Sequence, residues 1–230
     1  EVFHKTKNPL DRMPKSLKDA LLMHILAVTI VVKYLRRDGV NYLSMMVHPA
    51  TEKKYNSKFK KWIDAQLKSW RKSILKDDGN DDKRTLIQRL HELFPSAVEF
   101  YNVDERPDFE ALIPLIQNVL CSWKVYLVNT DKDAQTEIEW DEYAMHVLVG
   151  AEMLNRGFTV ENLATTYMPR YSTGPANADT IQQRCRFFGY KRDYIESCRV
   201  YLPGWTMNDY KIYIDHEEEL RSVIATCDNL

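Results

Sequence analysis

Glycine is scarce in this chain, with seven in 230 positions, and there are nine prolines. So few turn-forming residues exclude a linker-rich or low-complexity protein. The four cysteines (Cys121, Cys185, Cys198, Cys227) stand far apart, with no Cys-x-x-Cys pair and no Cys/His cluster at ligand spacing. That pattern argues against a zinc site, so no metal ligands are assigned, and it leaves reduced thiols as the reading. No apolar run is long enough to span a bilayer. The longest, residues 20–32, holds His24 and Thr29, has Lys18 and Lys33 beside it, and reads as a buried helix. No terminal hydrophobic segment with a cleavage site is visible, so a cytoplasmic protein with no membrane partner is expected. The loop Gly-x-x-x-x-Gly-Lys-Ser/Thr, which wraps nucleotide phosphates, is missing, as are Gly-x-Ser-x-Gly and His-Glu-x-x-His. An excess of charge is also missing: 32 basic and 33 acidic residues leave a net charge of -1.

What is present suits a globular core, with 44% hydrophobic and 28% charged residues. The chain opens on Glu1 rather than Met and reads as a piece of a longer protein. Residues 15–37 have helical length, with Pro14 suited to an early helix position and Gly39 to a place just past the end. Residues 41–48 (NYLSMMVH) read as a buried strand stopped by Pro49. From 52 to 75, Tyr55, Phe59, Trp62, Ile63, Leu67, Trp70 and Ile74 recur at steps of three and four and predict an amphipathic helix. Residues 76–82 are a loop. Helices are expected at 83–94, 107–121, 178–189 and 208–227, and strands at 124–129, 145–150, 163–168 and 198–202. Residues 130–141 form an acidic exposed loop. This alternation implies a parallel sheet with helices on both faces. No internal repeat breaks the chain, so residues 41–230 form one domain and residues 1–40 an N-terminal helical extension.

Chemistry is harder to find. His146 lies inside an apolar strand and reads as a hydrogen-bonded core residue rather than a catalyst. The acidic segment (Asp131, Asp133, Glu137, Glu139, Asp141, Glu142) resembles a solvated face more than a nuclease metal site, since no strand-borne Asp is followed by a Glu-x-Lys pair. Two segments are more specific. In the first, Arg156 and Gly157 follow the 145–150 strand; in the second, Arg184 and Arg186 lie on the 178–189 helix. In open parallel sheets ligands bind at the carboxyl ends of strands, where an arginine can hold a phosphate with two hydrogen bonds. The alternative is that these arginines only cap helices or pair with surface carboxylates.

Here the sequence resembles motifs V and VI of superfamily-two helicases. It is most similar to the Z-one domain, a helicase C-terminal-like domain of bacterial endonuclease-type proteins. The earlier motif is carried by Gly150, Arg156, Gly157, Thr159, Glu161 and Leu163. The later one runs from Arg170 through Asp179, Thr180 and Ile181 to Gln183, Arg184, Cys185, Arg186, Phe187, Phe188, Gly189, Tyr190 and Lys191, then Cys198, Arg199, Val200 and Tyr201. The close matches cover residues 145–202. Cys185 stands where that family usually has glycine, Lys191 where it has arginine, and Gly189 where ordinary helicases carry a second arginine.

The resemblance implies a RecA-like, P-loop NTPase-type α/β lobe, the second of two in a DNA-acting ATPase of restriction or phage-defence type. The lobe that binds ATP and Mg2+ would lie outside this chain, and further nuclease or defence-system subunits would be its other partners. Arg186, with Arg184 as the alternative, becomes the arginine finger. Arg156, Gly157 and Gln183 become nucleotide-facing, and His48, Thr51, Lys53 and Gly150 contact the DNA backbone. Alone, the chain should hydrolyse nothing at a useful rate. Residues 48–76 hold nine basic residues against two acidic ones, which reads either as a phosphate-tracking face or as a solvated helix. Two other readings stay open: a non-catalytic docking module derived from a helicase lobe, and part of a nuclease whose cutting site lies elsewhere.

Overall fold

A computed structural model describes residues 10–49, 53–128, 137–150, 159–169 and 190–227. Among the described residues five α-helices and five strands follow one another in the order α1 (Lys15–Val28), β1 (Leu43–Val47), α2 (Lys53–Ile74), α3 (Asp81–Val98), α4 (Phe109–Cys121), β2 (Trp123–Val128), β3 (Met145–Gly150), β4 (Leu163–Tyr167), β5 (Arg199–Tyr201) and α5 (Gly204–Cys227). The strands form one sheet in the order β2-β3-β1-β4-β5, and every pairing is parallel. The protein is therefore α/β with a five-stranded parallel sheet, an architecture compatible with a RecA-like fold.

Parallel strands buried on both faces read as continuous apolar runs, and β1 (LSMMV) and β3 (MHVLVG) are buried at every position. One face presents Met45, Val47, Val147 and Val149 to α1–α4, which share its core. The other carries Met46, Tyr126, Val128, Leu148 and Leu163, over which Ile138, Trp140 and Val160 pack. The expected exposed loop is thus two-natured where it is described: Glu137, Glu139, Asp141 and Glu142 face water, while Ile138 and Trp140 are tucked onto the sheet. The expected helix at 178–189 lies outside the described residues.

α1 is apolar on nearly every side and is buried from Ala20 through Val28, as such a helix must be. It packs on β4, α3 and α4 in the same core as the sheet. Its last turns widen into a π-helical segment, Thr29–Leu35, where Thr29 Oγ1 donates to Ile25 O at 2.7 Å. The segment stops at Arg36 in the left-handed conformation (φ 51°), and Gly39 (φ 73°) completes the turn into β1.

β4 holds an irregularity. Ser44 pairs with Leu163 but Met45 pairs with Thr165, so an extra residue is inserted at Ala164. The shift turns Thr165 to the helical face, where its Oγ1 shares a 2.9 Å hydrogen bond with His24 Nδ1 on α1.

Candidate functional site

The sheet order creates one place where a ligand could lie. β1 leads into α2 on the helical face, whereas the chain entering β4 passes over the second face at Val160. β1 and β3 are neighbours, and the described chain beyond them lies on opposite faces of the sheet, so their carboxyl edge is the place at which open α/β sheets bind ligands.

His48 follows β1 there and is almost fully buried. Its backbone N–H donates to Tyr167 O at 2.8 Å, extending the β1–β4 pairing by one step. Gly150 ends β3, and Val47 pairs with Val149, so His48 and Gly150 stand side by side at the edge. Of the nine residues singled out in the sequence, the sheet brings His48 and Gly150 together, and Lys53 opens α2. Thr51, Arg156, Gly157, Gln183, Arg184 and Arg186 lie outside the described residues.

Residues that pattern reading missed also hold this edge. Tyr167, at the end of β4, hydrogen-bonds Ser16 in the first turn of α1 (2.8 Å), fixing the start of that helix beside the carboxyl edge of the sheet. Lys58 Nζ donates to Leu10 O at 2.5 Å and ties α2 to the segment before α1. Neither pair has a local signal, because the partners are 151 and 48 residues apart.

Other motif residues serve the opposite edge. Glu161 accepts from Tyr42 Oη at 2.5 Å, and Lys191 Nζ donates to Leu163 O. Arg199 donates to Glu196 O, Cys198 O and, across to α3, Ser96 O at 2.8 Å. These contacts anchor strand starts rather than the carboxyl edge. Tyr190 is fully exposed.

Two histidines lie inside the layers. Burial pushes His24 down from the ordinary histidine range to about 3. His146, whose Nε2 lies 2.9 Å from Trp140 O, is also lowered by burial. It sits among the rings of Tyr42, Tyr126 and Trp140, with centroids 5.2, 5.8 and 5.2 Å away. Both histidines are neutral packing residues at physiological pH, as the sequence suggested for His146. Among the described residues no three His, Cys, Asp or Glu side chains are grouped to hold a metal ion, and no helix is long and apolar enough to cross a membrane.

Compared with known proteins, the chain matches the family model described as the Z1 domain over residues 16–229. No curated protein and no solved structure matches it.

Proposed function

From the premise that this chain belongs to the Z1 domain family, we propose that it works as the second RecA-like lobe of a DNA-acting, helicase-type ATPase. The observation that carries this reading is the position of His48 and Gly150. They adjoin at the carboxyl edge of β1 and β3, the edge at which the motif resemblance puts phosphate and DNA contacts.

On this reading the chain closes over ATP held with Mg2+ by another lobe, because the chain itself lacks the phosphate-wrapping loop. Arg186, or Arg184 in its place, offers its guanidinium to the transferring phosphoryl group and stabilises the charge that develops there. Arg156, Gly157 and Gln183 line the nucleotide side. His48, Thr51, Lys53 and Gly150 hold the DNA backbone without reading bases. Setting of restriction or phage-defence type remains part of the proposal.

The test is ATP hydrolysis by the full-length protein carrying this chain, with and without DNA, compared with its Arg186→Ala variant. Loss of an arginine finger lowers turnover by roughly a thousandfold or more. Unchanged DNA-stimulated turnover would remove Arg186 from the mechanism.

A second reading has one observation in its favour. α5 exposes Met207, Ile212, Ile214, Leu220, Val223 and Ile224, each at least half accessible, which suits a docking module. No hydrolysis in the full-length protein, with or without DNA, would favour it.

A further inference from the structure

The outward side of α2 is built unlike the rest of the surface. Phe59, Ile63, Leu67 and Ile74 face the core with no more than 1% exposure. Straight opposite them, at steps of four and three, stand Lys54, Lys58, Lys61, Ala65, Lys68 and Lys72. At 3.6 residues per turn these positions stay within an arc of about 80°. Every position in the row is cationic except Ala65, which is too small to interrupt it.

No carboxylate enters the row. The single acid of α2, Asp64, lies on the flank and is held by Lys60 at 2.6 Å. Lys54 and Lys58 lie over the rings of Tyr55 and Trp62, 4.9 Å from each centroid. Lys61, Lys68 and Lys72 have no carboxylate partner among the described residues. Lys68 and Lys72, one turn apart, repel each other. A polyanion laid along the row would remove that repulsion and release its own counterions.

The row also discriminates between polyanions. Proteins that hold single strands add aromatic platforms on which bases stack. The rings of α2 (Tyr55, Phe59, Trp62, Trp70) are buried or half-buried on other sides of the helix, and no aromatic residue stands in the row. A straight row of point charges fits instead the rigid phosphates of a duplex. At 22 residues, α2 is about 33 Å long, close to one turn of double-stranded DNA.

We propose that the outward face of α2 binds the phosphate backbone of a nucleic-acid duplex without reading its sequence. The row lies on the helix that follows β1 and His48 in the chain, so the duplex it carries would adjoin the strand that the proposed function holds at the sheet edge. The inference deepens the nucleic-acid part of the function proposed above and rests on it.

The experiment is fluorescence anisotropy of the 230-residue chain with a 20-base-pair duplex, a 20-nucleotide oligo(dT) and polyglutamate over a range of salt. The test variant carries Lys61→Gln, Lys68→Gln and Lys72→Gln together. A control carries Arg84→Gln, Lys211→Gln and Arg221→Gln, all at exposed sites away from the row. The expected result is duplex binding weakened at least tenfold in the test variant. Its slope of log affinity against log salt flattens by about 2.7, at 0.9 per lost phosphate contact. The control should bind like the parent chain. Unchanged affinity and slope in the test variant overturn the inference, as does binding of oligo(dT) or polyglutamate as tight as that of duplex. If the row binds duplex while ATP hydrolysis in the full-length protein ignores DNA, the motor reading fails and this inference stands. If hydrolysis responds to DNA and the test variant still binds duplex normally, only the inference fails.

Discussion

α2 and α3 lie against each other on one face of the sheet, and each buries an apolar side, yet their outer sides are handled in opposite ways. α3 is balanced. Asn80 caps it by accepting from Asp82 N at 3.0 Å, and Asp81 and Asp82 sit in the first turn, where the helix dipole favours them. Its cations are paired: Lys83 with Asp78, Arg84 with Asp81, Arg89 with Asp19 and Glu92. α2 opens instead with Lys53 and Lys54, on the pole where positive charge is disfavoured, and Lys61, Lys68 and Lys72 on its outer side have no carboxylate partner among the described residues. The core constrains only the inner sides. The outer sides are free to differ, and the difference between these two is what the proposed duplex contact would account for.

The largest predicted effect tests whether the inner sides are alike. Phe59→Ala in α2 and Leu90→Ala in α3 should each cost about 3–4 kcal/mol in urea unfolding, since both side chains are at most 1% exposed. A cost below about 1 kcal/mol for Phe59→Ala would mean that α2 is not anchored as described, and the contrast with α3 would lose its footing.

Acid gives the next largest effect, and it should come from α1, which packs between α3 and β4. An unfolded histidine titrates near 6.5, whereas buried His24 stays neutral down to about 3. Stability from this group is therefore complete above pH 6.5 and falls as the pH drops toward 3. The loss is about 2 kcal/mol between pH 6.5 and 5, and His146 shifts in the same direction. Asp78, in the turn before α3, and Glu92 on α3 are held below the ordinary carboxylate range by Lys83 and Arg89, so they protonate only in stronger acid. Urea unfolding at pH 7 and pH 5 should show the loss, and His24→Gln should reduce it. An equal loss in His24→Gln would assign acid sensitivity elsewhere.

The smallest effect sharpens the contrast most. Lys54→Glu places an acid on the favourable pole of α2 and four residues before Lys58, which should stabilise the chain by about 0.5 kcal/mol. Arg84→Gln on α3, which breaks an exposed pair, should leave stability unchanged or lower it by a few tenths of a kcal/mol. Opposite signs in thermal melts support the comparison. Destabilisation by both would show that α2 is as well balanced as its neighbour.

Local patterns carried much of this fold. The step of three and four gave α2 to within a residue at each end, and the apolar runs gave β1, β3 and β4 with small shifts. α3 departs from expectation, running to Val98 through Pro95 rather than ending at residue 94. A proline gives up its own N–H bond, but buried Ala97 and Val98 hold the last turn in place. The π-helical turn at Thr29 was invisible because a helix apolar on every side shows no period to break. The candidate site was only partly legible. The motifs pointed to His48 and Gly150, but their adjacency comes from strand order, a long-range property that no window of sequence contains. The Ser16–Tyr167 bond is hidden for the same reason.

The place of β1 has a consequence for the order of assembly. This central strand pairs with β3 and β4, whose residues come roughly a hundred positions later. During synthesis at about 5–20 residues per second, β1 waits on the order of 5–20 seconds for its first partner. All five of its side chains are destined for burial, so the emerging chain carries an apolar strand with both edges open through that interval. Such delayed pairing raises contact order and slows folding. Protecting β1 until residue 145 emerges is then the step on which the yield of folded protein depends.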